Sequence, residues 1–299
     1  MKFIIGLFTL VVLLLIYRYL CISTYTSGII NFTSAYTEGP PKDEGVDFSD
    51  RLPVIQKNAQ GHFNEIILHT PTTMRNLGYG KYLGEYRDTP IIRHKVGLKL
   101  GLAAFRPVIF LHELDKMNDG DILFHRDLDY KKYPAYENFD GIEEFIKKCL
   151  DICQFDFFIP NHYTKVNDCD STCRLTFLTK TNIIRELGED HPFTYNFPLL
   201  NAYMFIMRKS PATMELLTEW KEAMENPEWV DGETYGEMHP EFNYSTLDQS
   251  VLSVIIANWV RKGKYNIPKE YPFIALKDRD HHQIVYYKDI YNYNYLNYL

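Results

Sequence analysis

A chain of 299 residues, 45% hydrophobic and 15% aromatic, holds enough apolar side chain to bury a full core, which excludes an intrinsically disordered polymer. Its 32 basic residues are outnumbered by 39 acidic ones, for a net charge of −7. Neutralising a phosphate backbone takes clustered Lys and Arg, so nucleic acid is not an expected partner.

The first element in chain order is FIIGLFTLVVLLLIY, residues 3–17, without charge or proline and flanked by Lys2 and Arg18. A bilayer span needs about 20 residues, and the stretch reaches that length if Arg18 snorkels and the segment continues to Ile22. Residues 1–22 are therefore expected to be a signal anchor, with a cleaved signal peptide as the alternative. Residues 23–299 then form one large domain. The anchor implies a single-pass type II membrane protein facing the ER or Golgi lumen, and cleavage implies secretion; the single charges on either flank specify orientation only weakly.

Beyond it, strand and helix signals alternate. IINFTSAY, residues 29–36, is β-rich and runs into the Pro/Gly stretch TEGPPKDEG, while residues 49–60 show helical spacing behind a capping Ser49. FNEIILHT, residues 63–70, reads as a second strand. Residues 93–117 read as largely helical with an interruption at Pro107, the turn Asn118-Asp119-Gly120 follows, and DILFHRD, residues 121–127, is a third strand. This order predicts an α/β fold whose mostly parallel central sheet is flanked by helices. Ligands in such sheets gather outside the carboxyl ends of the strands. Residues 33–36 and 127–129 both fall there.

The second half continues with a helix over residues 140–153, a strand over 155–160, a helix over 179–187 and a strand over 199–210 that enters a helix capped by Ser210 with Pro211 in its first position. A helix over residues 245–260 carries Asp248 and Gln249 near its start. Cys149, Cys153, Cys169 and Cys173 form two C-x3-C pairs. Two disulfides suit an oxidising lumen, and buried thiols or a zinc site are the alternatives. The sequons at Asn31 and Asn243 are compatible with secretion, though Asn31 falls inside a predicted strand.

The stretch DILFHRDLDY, residues 121–130, admits two chemistries. HRDL opens a protein-kinase catalytic loop, but that loop needs Asn where this chain has Lys132, and neither DFG nor the Gly-rich spacing is present. The other reading takes Asp127 and Asp129 as a pair. Side chains two apart on a strand point the same way, so both carboxylates can reach one hard cation, Mn2+ or Mg2+, while Leu128 turns aside.

In that context the chain resembles the GT-A-fold, DxD-type glycosyltransferases, both type II membrane enzymes and their bacterial and viral relatives. The resemblance rests on IINFTSAY, FRPVIFLHELDKMNDGDILFHRDLDYKKYP, LTFLTKTNIIREL, LNAYMFIMRKSPATMELLTEW and PEFNYSTLDQSVLS, taken in this order. It implies a GT-A-like, Rossmann-type sheet and transfer of a sugar from a nucleotide-diphosphate sugar to a hydroxyl of a glycan, glycoprotein or polysaccharide. Asp127 and Asp129 would hold the metal, with His281 or His282 as a further ligand. Thr33, Ser34 and Tyr36 would contact base and ribose, Arg106 a phosphate, and Asn201 and Ala202 the sugar. Asp248 and Gln249 would contact acceptor or sugar, Asp248 serving as base if the reaction inverts. Relatives often carry His-Arg before that Asp-Gln, where this chain has Ser245-Thr246-Leu247. An inactive sugar- or nucleotide-binding homologue and a metal-dependent phosphohydrolase are the alternative classes.

Overall fold

The computed structural model describes residues 29–35, 52–83, 104–127, 139–153, 155–160, 174–231, 233–265, 274–276 and 284–286. The apolar segment at residues 3–17 lies outside them, as do Cys169 and Cys173. Among the described residues no helix is long and apolar enough to cross a membrane.

Five strands form one mixed sheet in the order β2-β1-β3-β5-β4: β1 (Ile30–Ala35), β2 (Glu65–His69), β3 (Ile122–Arg126), β4 (Phe157–Phe158) and β5 (Met204–Arg208). β1 pairs in parallel with β2 and β3, whereas β5 is antiparallel to both β3 and β4. The expected mostly parallel sheet therefore has one reversed strand. Its direction was hidden because MFIMR alternates between two buried faces whichever way it runs. The reversal matters for the site: the start of β5, not its end, stands beside the carboxyl end of β3, and Asp127 N donates to Tyr203 O at 2.8 Å.

Alternation along the strands sorts the core into two layers. Ile30, Phe32, Ile122, Phe124 and Ile206 face α1 (Leu52–Ala59) and α4 (Ile142–Cys153). Leu123, Phe157, Phe205 and Met207 face a larger cluster shared with α3 (Phe105–Asp115), α8 (Pro211–Ala223) and α10 (Asp248–Arg261). Between α1 and α3 lies α2 (Pro71–Asn76), whose Thr70 and Thr73 cap each other reciprocally. Three short helices, α5 (Leu175–Leu178), α6 (Thr181–Glu186) and α7 (Pro192–Asn196), come before β5. The single turn α9 (Pro227–Val230) comes after α8. A two-stranded antiparallel hairpin, β6 (Ile274–Leu276) with β7 (Ile284–Tyr286), was not anticipated.

Two local expectations are corrected. Pro107 does not interrupt its helix: it sits in the first turn of α3, where its missing N–H would have had no intrahelical acceptor. Cys149 and Cys153 are free buried thiols on α4, with burial pushing both up, Cys153 to about 12. Ser210 does cap α8 by accepting from Thr213 N, with Pro211 first in the helix. Asn31 is buried in β1 and donates to Glu65, an environment that has no room for a glycan.

Candidate active site

Three elements converge at the carboxyl end of β3. Asp127 follows that strand, Arg106 lies in the first turn of α3, and Asp248 opens α10. The Arg106 guanidinium donates to both oxygens of Asp127 through Nη2, at 3.0 and 2.9 Å, and to Asp248 Oδ2 through Nη1. Residues 21 and 142 positions apart in sequence thus meet on one cation. The expectation for Arg106 was a phosphate contact; here its partners are the two carboxylates assigned to metal and acceptor.

The backbone closes this arrangement into a ring. Asp127 N binds Tyr203 O, and the neighbouring Ala202 N donates to Gln249 Oε1 at 3.1 Å, next to Asp248. Ser253 Oγ, one turn along α10, accepts from Leu200 N at 2.9 Å and donates to Gln249 O. Asn201 N is held by Pro160 O at 2.7 Å. Asn201, Ala202, Asp248 and Gln249 are therefore brought together with Arg106 and Asp127.

The first-strand residues sit deeper. Ser34 is fully buried, and its Oγ donates to Arg126 O, stitching β1 to β3. Thr33 is also fully buried, and its Oγ1 has no hydrogen-bond partner. Tyr36, Asp129, His281 and His282 lie outside the described residues.

Electrostatics set the two carboxylates apart. Burial opposes ionisation of Asp127, but Arg106 and a hydrogen bond from His125 outweigh it and hold the carboxyl below its usual range. For Asp248 burial wins, helped by repulsion from Asp127 and opposed by Arg106, so its carboxyl is raised. The two shifts run in opposite directions because burial outweighs Arg106 at Asp248 and not at Asp127, a separation of paired carboxylates that is common at acid–base sites. Arg106 remains charged: burial disfavours the cation, yet its two carboxylates more than compensate.

His125 was not singled out from the sequence as a site residue. It is 1% exposed, its Nε2 lies 3.3 Å from Asp127 Oδ1, and its ring stands edge-on to Phe110 with centroids 4.8 Å apart. Burial keeps its imidazole below the ordinary value, against the pull of Asp127. The period of two along β3, which puts residues 123, 125 and 127 on one face, was the available signal. A second buried pair, His69 Nε2 with Glu113 Oε1 at 2.9 Å, lies two turns further along α3.

Carboxylate oxygens are the donors a hard divalent cation takes, and Asp127 can offer them at the strand end with its side chain 19% exposed. Both oxygens already accept from Arg106, so a cation there would share Asp127 with the guanidinium. No group of three His, Cys, Asp or Glu gathers at metal-binding distance among the described residues.

No family model matches the chain, and no curated protein matches it.

Proposed function

We propose that the chain is a glycosyltransferase that moves a sugar from a nucleotide-diphosphate sugar to a hydroxyl of a glycan, glycoprotein or polysaccharide, on a GT-A-like sheet. The observation that carries the proposal is the convergence of Asp127, Arg106 and Asp248 at the carboxyl end of β3, where α/β sheets receive ligands. Asp248, raised by burial, accepts the proton from the attacking hydroxyl. Asp127, held ionised, faces the diphosphate side, and Arg106 keeps the two carboxylates from repelling each other apart. Gln249 fixes the strand-end loop 201–203 through Ala202 N and so shapes the wall beside the sugar.

Charge arithmetic supports metal dependence. Two carboxylates against one guanidinium leave an excess negative charge when both are ionised, and neutral His125 adds nothing, so a diphosphate needs further positive charge to enter. Mn2+ or Mg2+ on Asp127 and Asp129, with His281 or His282 as a further ligand, would supply that charge and stabilise the leaving diphosphate as a Lewis acid. A type II anchor through residues 1–22, facing the ER or Golgi lumen, belongs to the same proposal.

The test is a screen of UDP- and GDP-linked sugars with and without Mn2+, measuring release of free nucleotide. Mn2+-dependent hydrolysis of one sugar nucleotide supports the proposal. Release of phosphate from simple phosphomonoesters, with every sugar nucleotide left intact, would assign the site to a phosphohydrolase instead.

A further inference from the structure

Leu247 immediately precedes Asp248 and has φ 52° and ψ −110°. Gln249 N donates to Thr246 O at 3.3 Å, so residues 246–249 form a turn of type II′, whose first central position has φ of about +60° and ordinarily carries glycine. Leucine in that conformation is strained, and such strain persists only where the surroundings over-determine it.

Here they do. Thr246 N donates to Leu178 O at 3.2 Å, Ser250 Oγ donates to the same carbonyl at 2.6 Å, and the Thr246 and Ser250 hydroxyls lie 2.7 Å apart. Leu247 N donates to Ser245 Oγ, and the Leu247 side chain is 2% exposed. On the other side Gln249 and Ser253 bind the backbone at Ala202 and Leu200. Two independent sets of bonds thus fix α5 and the β5 entry loop to the start of α10, and the strained residue lies between them.

We propose that Leu247 is a positioning residue for Asp248. The clamped II′ turn sets the direction in which Asp248 leaves the backbone and aims its carboxylate at Arg106. A residue free to relax to negative φ would rotate the 247–248 peptide and turn the carboxylate away. The catalytic consequence rests on the glycosyltransferase reading; the structural claim does not.

The experiment compares Leu247→Gly with Leu247→Ala in the full chain. Both lose the buried side chain, and only Gly removes the strain. Glycine is ordinarily the less stable of the two, so a higher melting temperature for Leu247→Gly than for Leu247→Ala is the expected sign of strain. Titration of carboxyl-13C-labelled aspartates by NMR should show Asp248 close to wild type in Leu247→Gly, which holds positive φ without strain, and lowered toward the ordinary carboxylate value in Leu247→Ala, which relaxes to negative φ and lets the side chain reach water. In transfer assays Leu247→Ala should lose tenfold or more in kcat, with donor KM unchanged, while Leu247→Gly, able to hold the turn, should lose less. Should both truncations unfold, Leu247→Ile must melt below Leu247→Met, since the two fill similar volume and a β-branched side chain tolerates positive φ least. Equal melting within either pair, or an Asp248 titration identical in Gly and Ala variants, overturns the proposal. Absence of transfer in wild type would refute the enzyme assignment while the melting and titration results still decide the role of Leu247.

Discussion

The two faces of β3 are built on opposite principles. On one face Phe124 joins Phe32, Phe63 and Phe139, with ring centroids 5.2 to 5.9 Å apart, and the Arg126 guanidinium lies over Phe124 and Phe139. On the other, His125 and Asp127 meet Arg106 and Asp248, and buried polar atoms such as Thr33 Oγ1 and His125 Nδ1 lack hydrogen-bond partners. Aromatic packing gains from every contact it buries, whereas each buried charge costs desolvation that only an exact partner offsets. One face is optimised for stability and the other tolerates instability, which is where functional sites are found.

The sharpest break in that comparison is Phe124→Ala. Losing a fully buried ring should cost about 3–5 kcal/mol in denaturant unfolding, while the folded fraction keeps its kcat. Loss of kcat with stability retained would show that the aromatic face takes part in the chemistry.

Arg106→Met should come next, at about 3 kcal/mol, because it strands two buried carboxylates; protonation of Asp248 limits the loss. It should also abolish transfer. Arg106→Lys keeps the charge but not the two-armed geometry and should restore most of the stability and little of the activity. Full activity in Arg106→Lys would contradict the clamp.

The polar face also predicts a pH response. An unfolded chain protonates His125 near its ordinary value of 6.5, but the buried ring resists the proton. Its contribution to stability is therefore present above pH 6.5 and is lost as pH falls toward the depressed folded value, with a slope of at most about 1.4 kcal/mol per pH unit. His112 is shifted the same way by burial and by Lys116, so the comparison that counts is wild type against His125→Gln, which should flatten part of the slope between pH 7 and pH 5. An unchanged slope would show that His125 is not the group resisting protonation.

The smallest effect belongs to Thr33→Val. Removing a buried hydroxyl without a partner should change stability by less than about 1 kcal/mol, toward greater stability. A loss of 2 kcal/mol or more would mean that the hydroxyl is satisfied by an unseen partner such as a buried water.

The same contrast explains what could be read from the sequence. The β1, β2 and β3 runs and the Ser210-Pro211 helix start follow from local patterns, since apolar alternation and capping chemistry act between near neighbours. Asp127 stood out as one of the Asp127-Asp129 pair at a strand end, and Asp248 with Gln249 at a helix start. Their connection did not, because Arg106 on a helix looks like any surface cation until the fold sets it between residues 127 and 248. The direction of β5 and the positive φ of Leu247 were equally hidden: the first depends on sheet pairing, and the second on a clamp to Leu178, far away in sequence, that no local turn signal announces. The Asp129, His281 and His282 part of the expected metal set, with Tyr36, lies outside the described residues.

The most direct test of the central claim, that Asp127 serves a nucleotide-diphosphate sugar site, is calorimetry with UDP, GDP and ATP, with and without Mn2+, on wild type, Asp127→Asn and Asp129→Asn. The account predicts Mn2+-dependent binding of one nucleoside diphosphate by wild type, weakened tenfold or more in each variant without loss of the fold by circular dichroism. Metal-independent binding of ATP that survives Asp129→Asn, with no response to either diphosphate, would contradict it.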